Sequence, residues 1–77
     1  MEDWEKRINI DPNILGGRPV IAGTRVPVYV VLDMLASGET MEVVCEQYGI
    51  TADDVRAALA YAADIVMDEI VVAIPPR

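Results

Sequence analysis

The chain is 77 residues long, with 53% hydrophobic residues, no histidine, one cysteine and a net charge of −7. That length holds one domain and buries only about 60% of its unfolded surface, so a partner subunit would add much to its stability. The missing histidine removes the commonest general base and metal ligand; the lone Cys45 forms no internal disulfide, which fits a reducing cytoplasm; and no apolar run reaches the ~18–20 residues of a membrane span.

The charge is unevenly placed. Residues 1–25 hold four acids and four bases, whereas residues 26–77 hold nine acids against Arg56 and Arg77. The second part therefore carries the entire excess. A phosphate backbone demands the opposite sign, and a basic protein surface would be attracted to it.

In chain order, Met1 to Lys6 is polar apart from Trp4 and is expected to fray. Its start lacks the basic character of a signal peptide. Arg7-Ile8-Asn9-Ile10 alternates polar and apolar, as a short half-buried strand does. Asp11-Pro12-Asn13 and Gly16-Gly17-Arg18-Pro19 are turns, and Val20-Ile21 is a second extended piece. Together these predict a short β-arm or hairpin over residues 1–27.

Three helices are then expected near 28–37, 41–48 and 52–68. In the first, Pro27 suits the first helical position, Val28, Val31, Leu32 and Leu35 form an apolar face, and Gly38 is the stop. The β-branched run Val26 to Val31 leaves a strand as the alternative there. In the second, Thr40 is the N-cap, Met41, Val44, Cys45 and Tyr48 share a face, and Gly49 ends the helix in a left-handed conformation. In the third, Thr51 and Asp54 match a capping box, and Val55, Leu59, Ala62 and Val66 form the expected stripe. Val31, Leu35, Val44, Tyr48, Val55 and Leu59 are expected to be buried together. Two helices joined by a short glycine turn is the helix-turn-helix plan. The tail from residue 70 is apolar through Ile74, with Ile70, Val72 and Ile74 alternating, and ends in Pro75-Pro76-Arg77. Such a strip suits an extended arm laid on a partner; a third helix that simply runs on is the alternative.

Candidate chemistry is sparse. Gly16 to Arg25 packs three glycines, two arginines and a threonine into ten residues. Such a loop can offer backbone N–H groups and two guanidinium forks to an anion, but it lacks the Gly-Lys-Ser/Thr ending of a phosphate-binding loop. The competing reading is that its arginines pair with the chain's own acids, Glu42 or Glu46 for Arg25. Asp53, Asp54, Asp64, Asp68 and Glu69 read as a solvated face rather than a metal cluster, and Cys45 as a small core residue. No catalytic set, cofactor site or metal site can be assembled, so a non-enzyme is expected.

The string Asp11-Pro12, then Gly17-Arg18-Pro19-Val20-Ile21-Ala22-Gly23-Thr24-Arg25-Val26-Pro27-Val28, resembles the signature of the family called domain of unknown function 433. Leu35 to Gly38, Tyr48-Gly49-Ile50-Thr51, Asp54-Val55 and Ala57 to Ala62 extend the resemblance over residues 8–63. It implies a mainly α, homeodomain-like three-helix domain behind an N-terminal β-arm. It also implies an antitoxin that binds and neutralises a PIN-like ribonuclease toxin, as a homodimer or hetero-oligomer. On that reading Arg18, Gly23, Thr24 and Arg25, with Ile70, Val72 and Ile74 of the tail, are the partner-binding candidates. The alternative is a transcription regulator reading DNA from the start of the third helix. A reading helix usually offers Arg, Lys, Asn or Gln there. This one offers Thr51 and Arg56 beside Asp53 and Asp54, so DNA is expected only with the partner's help.

Overall fold

A computed structural model describes residues 4–70. The elements run in the order of a 3-10 turn, strand β1 (Ile8–Asn9), a second 3-10 turn, strand β2 (Val20–Ile21), and helices α1 (Val28–Ala36), α2 (Met41–Tyr48) and α3 (Ala52–Ile70). The domain is mainly helical, with the expected β-hairpin at its amino end. β1 and β2 are antiparallel, with Ile8 opposite Ile21 and Asn9 opposite Val20. Ile8 and Ile21 are both buried and join the core beneath the helices.

α2 and α3 each open on a side-chain cap. The Thr40 side chain accepts a hydrogen bond from the Val43 N–H at 3.2 Å, leaving one fewer orphan donor at the start of α2. Thr51 and Asp54 form the reciprocal box: the Asp54 N–H donates to Thr51 Oγ1 at 3.1 Å and the Thr51 N–H donates to Asp54 Oδ2 at 3.0 Å. Gly49, at φ 66°, ends α2 in the left-handed region, where a Cβ would be strained. Only Gly49, Ile50 and Thr51 separate α2 from α3, the short connection of a helix-turn-helix.

Several expectations need correction. Pro27 is the N-cap of α1 rather than its first helical residue, with an extended ψ of 143°. It pairs with Val20 in an isolated bridge, so the chain is still extended there and turns helical one residue later. The strand alternative for Val26 to Val31 therefore stops at Pro27. Val28 and Val31, three apart, are both buried, and that burial outweighs the reluctance of β-branched residues to enter a helix.

The stripe on α3 is also rotated from the expected one. Val55 is buried, but Leu59 is 43% exposed and Val66 46% exposed. Their places in the core are taken by Ala57 and Ala58, both 0% exposed. Leu35 and Tyr48 are half-buried at the core's edge. Trp4 does not fray. It lies in the first 3-10 turn, packs edge-on to Tyr61 with ring centroids 4.9 Å apart, and donates its indole N–H to Asp64 at 2.6 Å. Asp64 is thus held by an indole rather than freely solvated. Of the arm expected over residues 70–74, Ile70 is instead the last residue of α3, and the rest, with residues 75–77, lies outside the described residues.

Candidate functional site

The Gly-Thr-Arg block is a tight reversal between β2 and α1. The Ile21 N–H donates to the Val26 carbonyl at 2.9 Å and the Val28 N–H to the Pro19 carbonyl at 3.0 Å, so the two sides of the loop pair. At its tip Thr24 closes the turn three ways. Its N–H donates to the Ile21 carbonyl at 3.0 Å, its hydroxyl donates to the same oxygen at 2.7 Å, and its Oγ1 accepts from the Val26 N–H at 3.0 Å. Gly23 sits at φ 79°, a conformation that side-chain-bearing residues seldom adopt. Gly23 and Thr24, singled out as binding residues, therefore have clear work in shaping the turn. What that shape displays is Arg25, exposed at the tip. Among the described residues Arg25 makes no ion pair, with Glu42, Glu46 or any other acid.

Arg18 behaves differently. Its guanidinium carbon lies 5.5 Å from the centre of the Tyr29 ring, within cation–π range. Both residues line a groove of about 470 Å³ between α1 and the carboxy-terminal half of α3, with Leu32, Tyr61, Ile65 and Val66 on its walls. The structure thus separates the two arginines, placing one on a turn and one in an apolar groove.

The start of α3 is occupied by its own ion pairs. Arg56 donates to Asp53 at 2.8 Å. Arg7 reaches Asp54 at 3.2 Å and Asp53 at 3.7 Å. Partial burial pushes the Asp54 carboxyl up, and hydrogen bonds from the Thr51 backbone and from Arg7, with the Thr51 side chain and the Arg7 charge, outweigh it, so the group titrates below its usual range. Thr51 is committed to the capping box and Arg56 to Asp53, which leaves the two DNA-reading candidates engaged. Among the described residues no three of His, Cys, Asp or Glu are grouped to hold a metal ion, and no helix is long and apolar enough to cross a membrane.

Of the tail candidates, Ile70 is the last residue of α3, and Val72 and Ile74 lie outside the described residues. Sequence reasoning missed the Arg7 clamp, the Trp4 latch and the groove. Arg7 and Asp54 are 47 residues apart and Trp4 and Asp64 are 60 apart, beyond any local pattern. The groove did leave a signal: Tyr61, Ile65 and Val66, which line it, add to Val55 and Leu59 and spread the apolar positions of α3 wider than one buried stripe requires.

A family model described as Protein of unknown function (DUF433) matches residues 8–62. The uncharacterized protein y4eO of Sinorhizobium fredii (strain NBRC 101917 / NGR234) is 43% identical over 56 residues, covering 71% of this chain and 25% of that protein. The chain therefore spans a quarter of that curated relative's length. The crystal structure of Rv2018 from Mycobacterium tuberculosis is similar at a TM-score of 0.65 and 37% identity, covering 73% of this chain and 27% of that one. The crystal structure of a DUF433 member protein from Anabaena variabilis ATCC 29413 reaches 0.73 at 31% identity, covering 78% and 60%. The match over residues 8–62 takes in both strands, the Gly-Thr-Arg turn, α1, α2 and the first half of α3, and the chain belongs to the DUF433 family.

Proposed function

We propose that this chain is a protein-binding antitoxin, not an enzyme, and that it neutralises a PIN-like ribonuclease by presenting Arg25 to the carboxylates that hold the ribonuclease's metal. The observation that carries this reading is Arg25 itself. In a chain with thirteen acids, it stands exposed on a turn braced by Thr24 and takes no acid among the described residues. A guanidinium is always charged, and its planar fork matches a carboxylate. Inserted into an acidic metal site, it displaces the cation or blocks the approach of an RNA phosphate. The acidic helical half adds long-range attraction to any basic rim around that site.

The test uses a co-transcribed small protein carrying several spaced aspartates. Arg25→Ala is expected to cost about 2–5 kcal/mol of binding, as when one member of a buried charge pair is removed. Arg25→Lys recovers part of it, and the melting temperature stays unchanged. A variant that melts earlier yet neutralises the ribonuclease normally once folded overturns the role of Arg25. The regulator reading rests on the helix-turn-helix connection. With Arg56 neutralised by Asp53, the chain alone is expected to bind its own promoter no better than unrelated duplex in band shifts at physiological salt. Tight sequence-specific binding by the chain alone would promote that reading over this one.

A further inference from the structure

The carboxy-terminal half of α3 leaves Ile65, Val66 and Met67 at 42%, 46% and 53% exposure, and Tyr29 stands 56% exposed across the groove on α1. We propose that this face is the contact between two copies of the chain, packed about a two-fold axis with the two α3 helices antiparallel and crossing near Ile65.

Charge complementarity selects a second copy as the occupant. The groove is apolar, and among the described residues Arg18 is the one charged side chain lining it. Among the described residues Arg18 has no carboxylate partner. An occupant must therefore bring aliphatic residues together with an acid about one helical turn away. α3 carries that combination: Ile65 and Val66 are exposed, and Asp68, also exposed, follows Ile65 by three residues. In an antiparallel crossing centred at Ile65, the turn bearing Asp68 faces the turn bearing Tyr61 and Ala62 of the other copy, each about 4.5 Å along the axis from the centre. Tyr61, Ala62 and Arg18 all line the groove. Each copy then offers its Asp68 to the other's Arg18, and symmetry makes the pair twice, as an isologous contact requires. A chain of net charge −7 repels its own copy wherever acids oppose acids. Here the apolar face and the two Arg18–Asp68 pairs remove that obstacle.

This contact does not depend on the ribonuclease reading, because it is measured on the chain alone. Sedimentation velocity across a concentration series is expected to show a monomer–dimer equilibrium. Val66→Asp should weaken it roughly thirtyfold or more, the loss typical of a central interface position, with Trp4 fluorescence unchanged as evidence of folding. Arg18→Asp and Asp68→Arg should each weaken it roughly fivefold, as exposed ion pairs do, and the double variant should recover the loss. The proposal is overturned by a monomer at every concentration up to about 1 mM. A dimer indifferent to Val66→Asp also overturns it, as does a double variant no better than either single one. A monomer whose groove instead takes up an apolar dye assigns the site to a small ligand. Should Val66→Asp not fold, the exposed charge pair decides alone.

Discussion

The amino-terminal half of α3 buries small residues, and its carboxy-terminal half exposes large ones. Ala57 and Ala58 are fully buried, whereas Ile65, Val66 and Met67 are each more than 40% exposed. Side-chain hydrophobicity predicts the reverse. The difference lies in the neighbours. β1, the first 3-10 turn, α1 and α2 all pack against α3, and the core they share is built mostly of valines and alanines. Near its start the enclosed positions hold Val55, Ala57 and Ala58; farther along, a groove opens between α1 and α3. Burial along this helix is set by how closely other backbones approach, and the large aliphatics fall where none of the described elements covers them.

The sharpest way to break this contrast is Ala58→Leu. Adding a branched side chain at a fully enclosed position forces neighbours apart and is expected to cost about 1–3 kcal/mol. For a domain of this size, whose whole stability is roughly 4–11 kcal/mol, urea unfolding will register it clearly. No change in midpoint would mean that the amino-terminal half is loosely packed and the contrast unfounded.

A smaller effect concerns the clamp that draws the hairpin onto that crowded half. Asp54→Ala removes both the capping box and the nearer of the two carboxylates on Arg7, and should cost about 1–2 kcal/mol at neutral pH. The sign with pH follows from the lowered carboxyl. Its contribution is fully present above the unfolded value of 3.8 and is lost as pH falls through the lower folded value. The stability gap between the wild type and the variant should therefore narrow as pH falls below 3.8 and through the lowered folded value, a narrowing that thermal melts at stepped pH will check.

The smallest effect is expected one residue away from the largest. Leu59 is 43% exposed, so Leu59→Ala should shift the stability of the monomer by only about 0.5 kcal/mol or less, although the apolar pattern of α3 alone assigns it to the core. A loss of several kcal/mol in chemical denaturation of the monomeric chain would show that Leu59 is covered after all, and would move the boundary between the two halves.

The approximate helix limits, the side-chain caps of α2 and α3, the glycine stops and the Gly-Thr-Arg turn were legible in the sequence because each is completed within a few residues. Thr40 reaches Val43, Thr51 exchanges hydrogen bonds with Asp54, and Thr24 ties Ile21 to Val26. Such contacts need only the chain's own turn geometry, so residue type and spacing suffice to foresee them. Arg25 is exposed on that same local turn. Tertiary structure alone decided which face of α3 is buried, that Trp4 latches onto Asp64, that Arg7 clamps Asp54, and that Arg18 settles over Tyr29 while Arg25 stays free of any ion pair among the described residues. These outcomes join residues far apart in the chain. They depend on how several backbones pack at once, and a helix whose apolar residues run most of the way round it leaves more than one face able to turn inward.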